Sequence, residues 1–185
     1  MRKSRRSTRS ISSCPDLGGA MPRETTATGK WREPGVPHKG WTCVGIEELE
    51  EQDHLCEMCE ARHVRFVHVM QNSRYPNELR VGCVCAGHME GDVAQAKERE
   101  KSARNRSSRR KTWISKGWRT SRKGNPYRNK EGLNASVFQS GRGWSTIVQN
   151  DHVKLSASGL PTEDAAKLKA FELFEQGQTI LKRRP

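Results

Sequence analysis

Two pairs of closely spaced cysteines are the residues of this chain whose type and spacing could do chemistry. Cys56 and Cys59 form a C-x-x-C knuckle, and Cys83 and Cys85 form a C-x-C pair further along. Thiolates at such spacings can surround one tetrahedral zinc ion at Zn–S distances of roughly 2.3 Å. We therefore predict that these four cysteines hold a structural Zn²⁺ ion.

The choice of four ligands stays open at this point. Cys43 could take the place of Cys83, and His88 lies three residues after Cys85. Cys14, in the basic N-terminal segment, is expected to be a free thiol. That segment lacks the apolar stretch of a secretory signal, so we expect a cytoplasmic protein. In a reducing compartment, clustered cysteines bind metal more often than they form disulfides.

Catalysis is the least favoured interpretation of these residues. A catalytic zinc needs an open coordination position and a nearby general base. Glu57 and Glu60 flank the knuckle, but neither belongs to an H-x-E or H-E-x-x-H arrangement. We also find no Ser-His-Asp or Cys-His motif and no glycine-rich phosphate loop. We therefore predict no catalytic residues. Whether the protein is an enzyme stays open, with the non-enzymatic interpretation favoured.

The elements between the cysteine pairs indicate how the metal would be held. Residues 64–69 and 78–81 have the composition of strands, and residues 72–77 supply a loop between them. A knuckle, a hairpin and a second cysteine pair are the layout of a zinc ribbon. Such a unit has little apolar surface, so metal binding would supply much of its folding free energy.

Charge is distributed unevenly along the 185 residues. The net charge is +13, yet residues 41–92 hold ten acidic and only four basic residues. The sign reverses after Asp92, which can cap a helix running to about residue 114. We predict that the basic helix and the segment after it contact nucleic acid. The predicted contact residues are Arg104, Arg106, Arg109, Arg110, Lys111, Trp113, Lys116, Trp118, Arg119, Arg122 and Lys123.

The last part of the chain reads as a second small unit. Residues 134–139, 144–149 and 153–156 are predicted strands, and Thr162 is a predicted helix cap. With 32% hydrophobic residues, the chain suits small units rather than one large core. We predict a small α+β protein. Its parts are a disordered basic tail (1–40), a zinc-ribbon module (41–92), a basic helical linker (93–126), and a three-stranded sheet covered by one helix (127–185).

Several segments resemble a family of uncharacterised bacterial zinc-ribbon proteins. They are Trp41-Thr42-Cys43, Cys56-Glu57-Met58-Cys59-Glu60, residues 64–70, Val81-Gly82-Cys83-Val84-Cys85-Ala86 and residues 119–125. The resemblance extends to about residue 178 and implies a bacterial, intracellular, metal-binding protein, without implying an activity. Separately, the three strands and helix are similar to the arm-type DNA-binding domains of phage integrases, a plan shared by many small sheets.

Three functions follow from these features. The first is a non-enzymatic, zinc-stabilised protein that binds DNA or RNA through its basic linker. The alternative is a protein–protein adaptor whose acidic zinc module docks a partner. The third is a zinc-dependent enzyme. No apolar run approaches the roughly 18 residues needed to cross a bilayer, so we expect no membrane partner.

Overall fold

The N-terminal part of the molecule is a small antiparallel sheet followed by a short helix. The protein is described by a computed structural model, which covers residues 28–183. The elements are β1 (Thr42–Glu48), β2 (His54–Leu55), β3 (His63–Val64), β4 (Phe66–Asn72), β5 (Tyr75–Val81) and α1 (Cys83–Glu90). The three-stranded sheet has the order β1-β4-β5, with β4 in the centre, and β2 and β3 form a separate two-stranded ladder.

The C-terminal part is a five-stranded meander covered by a long helix. Its strand order is β10-β9-β8-β7-β6, and every neighbouring pair is antiparallel. Thr162 caps the helix by accepting a hydrogen bond from the Ala165 backbone, as the sequence predicted. The elements are β6 (Arg119–Thr120), β7 (Pro126–Lys130), β8 (Leu133–Ser140), β9 (Gly143–Gln149), β10 (Lys154–Leu160) and α3 (Glu163–Lys182).

A 23-residue helix, α2 (Val93–Ser115), joins the two parts and contributes buried residues to the core of each. Ala96 belongs to the first hydrophobic core and Trp113 to the second. These residues lie about 26 Å apart along the helix axis. Asp92 caps α2 by accepting from the Gln95 backbone, which confirms the predicted start. The helix therefore packs into both cores at a few positions, while most of its residues are exposed. None of the described helices is long and apolar enough to span a membrane.

The structure corrects the predicted extent of the disordered tail. Residues 1–27, including Cys14, lie outside the described part of the chain, but residues 28–40 pack against the first core. Val36 is 7% exposed, and the Trp41 indole donates to the Pro37 carbonyl at 2.6 Å. The prediction was wrong for these residues because their apolar side chains are few but buried.

The small α+β class is confirmed, while the C-terminal sheet has two more strands than the sequence predicted. Residues 134–139, 144–149 and 153–156 lie within β8, β9 and β10. The additional strands β6 and β7 were missed because their residues, such as Arg119 and Asn129, are polar and carry no alternating apolar pattern.

Candidate metal centre and basic surface

Three cysteines meet at the junction of the knuckle and the first helix. The sulfur atoms of Cys56, Cys59 and Cys85 all lie within 4.8 Å of one another. Around a tetrahedral zinc ion, sulfur atoms are about 3.8 Å apart, as follows from the Zn–S distance. The three side chains therefore fit a common metal ion after shifts of less than about an ångström.

Backbone hydrogen bonds hold this group in place. Cys56 N donates to the Arg62 carbonyl at 2.8 Å, which closes the knuckle between β2 and β3. The Gly82 N–H points at Cys56 Sγ at 3.4 Å, just before α1 begins. Cys85 lies in the first turn of α1, where the unpaired N–H groups and helix dipole favour a thiolate. The knuckle and a helix N-terminus thus supply the ligands jointly.

The protons of the three thiols are coupled. Hydrogen bonds from Cys56 and then Cys85 lower the pKa of Cys59 to about 2. The pKa of Cys85 is raised because it shares hydrogen bonds with Cys56 and Cys59, and burial adds to the effect. Without a cation, the three sulfurs cannot all ionise together. A divalent ion removes that penalty, which is the usual chemistry of a thiolate metal site.

Cys83 is not part of this group. Its side chain is buried and hydrogen-bonds the Glu100 carboxylate of α2. The sequence placed Cys83 and Cys85 in a second knuckle, but both lie in α1. Residues two apart on a helix point in nearly opposite directions, so both cannot reach one ion from this turn. The predicted four-cysteine set is therefore corrected to three among the described residues.

The two alternate ligands also lie elsewhere. Cys43 Sγ is 3.9 Å from Nδ1 of His68 and does not join the group of Cys56, Cys59 and Cys85. His88 lies in the last turn of α1 and does not join the group of Cys56, Cys59 and Cys85. The described residues hence supply three ligands, and a tetrahedral ion would have one further position.

A short 3-10 helix, Gly29–Arg32, covers the knuckle. Thr28 Oγ1 donates to the Cys59 carbonyl at 2.6 Å. Gly29 has φ of +60°, and a β-carbon there would lie 2.8 Å from the Cys59 carbonyl carbon. Only glycine fits this close approach. The N-terminal residues that were expected to be disordered therefore protect the metal centre.

The carboxylates beside the knuckle are already engaged. They line a cavity of about 570 Å³. Glu57 Oε2 accepts from the Arg80 backbone at 2.6 Å, and Glu60 lies 3.2 Å from the Lys30 ammonium. Neither carboxylate is held in the position of a free general base, which favours a structural metal over a catalytic one.

The predicted nucleic-acid contacts divide into two groups. Three arginines on the middle of α2 are paired with carboxylates of the chain, and two of them share one carboxylate. Arg104 Nε lies 2.9 Å from Glu100, while Arg106 and Arg109 lie 2.8 and 3.1 Å from the two oxygens of Glu175. The Glu175 pairs connect α2 to α3, and the Arg104 pair lies within α2.

The second group of predicted contacts has no carboxylate partner within the described residues 28–183. It consists of Arg110, Lys116, Arg119, Arg122 and Lys123. All its members are exposed, and residues 110–130 contain eight basic residues and no acidic one. Lys111 is an intermediate case. The pKa of Glu48 is lowered because hydrogen bonds from Ser107 and Arg65, helped by the Lys111 charge, outweigh burial.

The strand register gathers much of this charge at one end of the second sheet. Tyr127 pairs with Ser136, and Ser140 pairs with Gly143. The β6–β7 turn, residues 121–125, and the β8–β9 turn therefore project from the same end. Arg142, exposed in the second turn, joins Arg122 and Lys123 there. Sequence reasoning missed Arg142, because only strand pairing shows which turns lie together.

The structure corrects the predicted stacking role of Trp113. Its side chain is 2% exposed, and its ring lies 4.8 Å from that of Phe174 and 5.6 Å from that of Phe171. A base could reach it only if the second core opened. Trp118 is half-buried, stands edge-on to Trp113 and donates its indole N–H to the Trp113 carbonyl at 2.7 Å. Both rings are primarily packing residues.

The chain matches no protein-family model, no curated protein and no solved structure. Its site is therefore interpreted from its own geometry.

Proposed function

We propose that this protein is a metal-stabilised, non-enzymatic nucleic-acid-binding protein. Its contact surface, here called the hairpin face, comprises Lys116, Arg119, Arg122, Lys123 and Arg142. The observation that carries the proposal is the contrast between these exposed cations, which have no carboxylate partner among the described residues, and the neutralised arginines of α2.

Unpaired surface cations suit a polyanion. A lysine or arginine that contacts a phosphate releases condensed counterions from the nucleic acid, which drives binding. A side chain already paired with its own carboxylate gains less, because the internal ion pair must first be given up. The hairpin face can thus contact a phosphate backbone without that cost.

Several carboxylates of the acidic module, in contrast, are paired with cations of the same chain: Glu47 with Arg80, Glu48 with Arg65 and Glu60 with Lys30. Because these carboxylates are already paired, they do not favour the alternative of a protein–protein adaptor that docks a partner through the acidic module.

We further propose that the metal is zinc and that its role is structural. Three thiolates are soft ligands of the kind that zinc prefers. The described residues leave one coordination position open, and the structural role is supported by Glu57 and Glu60, which are engaged and offer no free general base beside the knuckle. When bound, the ion would neutralise the ionised sulfurs and tie the knuckle to α1. Cys56 is 1% exposed and Cys85 is 9% exposed, so two of the three ligands are shielded from solvent, while Cys59 is half-buried.

The nucleic-acid proposal is tested by a salt titration with two matched double variants. Arg122→Ser with Lys123→Ser removes two adjacent exposed cations from the hairpin face. The control, Lys182→Ser with Arg183→Ser, removes one lysine and one arginine from the C-terminal end of α3. Binding of a duplex oligonucleotide and of a single strand is measured at several salt concentrations. We expect the first variant to reduce the slope of log K against log salt by up to about 1.8 on duplex DNA.

We expect the control variant to keep the wild-type slope. Equal losses in both variants would indicate attraction by net charge alone, and no measurable loss in the first would refute the hairpin face. Comparing the duplex with the single strand decides which form is bound.

The metal proposal is tested by native mass spectrometry of single cysteine variants. Cys85→Ser should lose the ion, whereas Cys83→Ser, two residues away, should retain one zinc per chain. If Cys83→Ser also lost the metal, the three-cysteine assignment would be wrong and the four-cysteine set of the sequence would stand.

A further inference from the structure

A second cluster of reactive side chains lies between β1, β4 and α2, away from the metal centre. Cys43 Sγ is 3.9 Å from Nδ1 of His68. The opposite ring nitrogen, Nε2, is 3.6 Å from Glu100 Oε2. Sulfur, imidazole and carboxylate therefore stand in a row, the order in which a base activates a nucleophile and an acid orients the base.

His68 is held firmly in the middle of this row. It is completely buried, and the Glu100 side chain is 8% exposed. Glu100 in turn is bonded by Arg104 and Cys83. An imidazole buried beside a carboxylate keeps a proton on the nitrogen that faces it. The other nitrogen, Nδ1, is thus the one that exchanges a proton with Cys43.

A guanidinium completes the surroundings of the sulfur. Arg99 Nη1 lies 3.4 Å from His68 Nδ1, and the guanidinium also hydrogen-bonds Cys43. Arg99 is fixed from behind by Glu90, whose two oxygens lie 3.0 and 2.8 Å from Nη2. A cation at this point disfavours a second metal ion between Cys43 and His68 and favours a thiolate.

These groups outweigh the cost of burying a charge on sulfur. Burial raises the pKa of Cys43, but the hydrogen bond with His68 and the charge of Arg99 lower it more. The pKa of His68 is raised, because the contacts with Cys43 and Glu100 outweigh burial. The Gly45 carbonyl lies 3.2 Å from the sulfur and can accept the proton of the thiol form, while a backbone hydrogen bond of Gly45 adds to the lowering of the Cys43 pKa.

Cys43 is half-buried, so the residue keeps part of its surface open to solvent. The pairing of β1 with β4 shifts register between Cys43 and Gly45. A bulge of this kind turns side chains away from the regular pleat and is frequent beside active sites. Because Cys43 is half-buried, a small reactant suits the site better than a large one.

We propose that Cys43 is a peroxide-reactive thiolate, activated by His68 and Arg99 and backed by Glu100, with hydroperoxides as its oxidant. The sulfur attacks one peroxide oxygen, an S–O bond forms and the O–O bond breaks. The sulfur loses two electrons and becomes a sulfenic acid, while the peroxide is reduced. The departing oxygen, a hydroxide from hydrogen peroxide or an alkoxide from an organic hydroperoxide, takes the Nδ1 proton of His68 and leaves as water or as an alcohol. Arg99 stabilises its developing charge. The imidazole recovers a proton from solvent.

The test measures the reaction of Cys43 itself in the full chain. Alkylation by iodoacetamide is followed across pH by peptide mass spectrometry, which separates Cys43 from the other cysteines. We expect Cys43 to react several-fold to about tenfold faster at pH 7 in the folded chain than in urea, because a free thiol is only a few per cent ionised. Hydrogen peroxide with a cyclic 1,3-diketone, which traps sulfenic acids, should label Cys43.

Matched variants separate this mechanism from simple exposure. Arg99→Gln removes the guanidinium beside the sulfur, whereas Lys101→Gln removes an exposed charge two residues along the same helix. We expect the first to raise the apparent pKa of Cys43 and slow both reactions, and the second to change neither. Slower alkylation in the folded chain than in urea, equal behaviour of the two variants, or alkylation without peroxide labelling would each overturn the proposal.

Discussion

The two halves of the molecule are stabilised by different means. The metal unit, residues 28–92, has a core that is rich in methionine, with Met58, Met70 and Met89 all fully buried. The sheet unit, residues 119–183, has a core centred on aromatic rings that contact Trp113. Methionine fills irregular space but fixes it weakly, whereas stacked and edge-on rings define one packing.

Buried polar groups sharpen the contrast. His68 and Glu100 lie in the core between the first sheet and α2, whereas Ser145 and Thr146 are the buried polar residues of the second sheet. A core that contains ionisable groups and thiols needs a cation and ion pairs to hold it. We therefore expect the loss of a bound metal ion to destabilise the first half more than the second.

The largest expected effect is that of metal removal. Chelation, or Cys56→Ser, should unfold or loosen the metal unit, because apparent zinc-binding free energies are about 10 kcal/mol or more in small zinc domains. The amides of β8 and β9 should keep their protection. Hydrogen exchange with and without chelator measures both units in one experiment. If β4 and β5 stayed as protected as β8 and β9, the contrast between the halves would be wrong.

The reciprocal test removes the aromatic centre of the second core. Trp113→Ala should cost about 3–5 kcal/mol, the range for deleting a large buried side chain. Trp113→Phe should cost less, because the buried indole nitrogen has no hydrogen-bond partner among the described residues to lose. Urea unfolding gives the free energies, and metal content should be unchanged. Loss of metal in Trp113→Ala would indicate that α2 couples the two halves tightly.

Glu100→Gln tests the polar core of the first half through its pH dependence. The pKa of Glu100 is lowered to about 2, because hydrogen bonds with His68, Arg104 and Cys83 outweigh burial. Its stabilisation is present above the ordinary value of 4.5 and is lost as pH falls towards 2. The raised pKa of His68 acts in the opposite direction. Its stabilisation is present below 6.5 and is lost as pH rises through the raised value.

The variant should therefore lose most stability, about 3 kcal/mol, between pH 4.5 and 6.5. Urea titrations at several pH values measure the difference from wild type. Glu98→Gln, on the same helix and exposed, is the control and should differ little at any pH. A loss that did not vary with pH would mean that Glu100 acts by packing rather than by charge.

Local signals were readable from the sequence. Asp92 and Thr162 as helix caps, the knuckle, and β8 to β10 all follow from residues close together in the chain. The helical placement of Cys83 and Cys85 was not readable, because a C-x-C pair fits a turn as well as a helix N-terminus. This single choice between turn and helix decides how many sulfurs meet.

Long-range arrangements were beyond local patterns. Cys43 and His68 are 25 residues apart and meet only because β1 pairs with β4. Glu175 is 69 residues from Arg106, so no helical spacing could show that it neutralises the basic helix. Charge density was visible in the sequence, but the distinction between paired and unpaired charge was not.

The smallest expected effect on stability comes from Glu175→Gln. The pairs of Glu175 with Arg106 and Arg109 are partly exposed, with the arginine side chains 51% and 56% exposed. Such pairs contribute about 0–1 kcal/mol each, so urea unfolding should change little. The variant nevertheless frees two arginines on α2. If the path of a bound nucleic acid passes α2, the salt slope should steepen by up to about 1.8 on duplex DNA, because two more phosphates can be neutralised.

Glu172→Gln, on the same helix and paired with Lys169, changes the charge equally and should leave the slope unchanged. An unchanged slope in Glu175→Gln would confine the contact to the hairpin face, because arginines that are freed but too distant release no counterions. A steeper slope would show that Glu175 on α3 limits the affinity for nucleic acid, because its pairing with Arg106 and Arg109 keeps these two arginines from contacting phosphates.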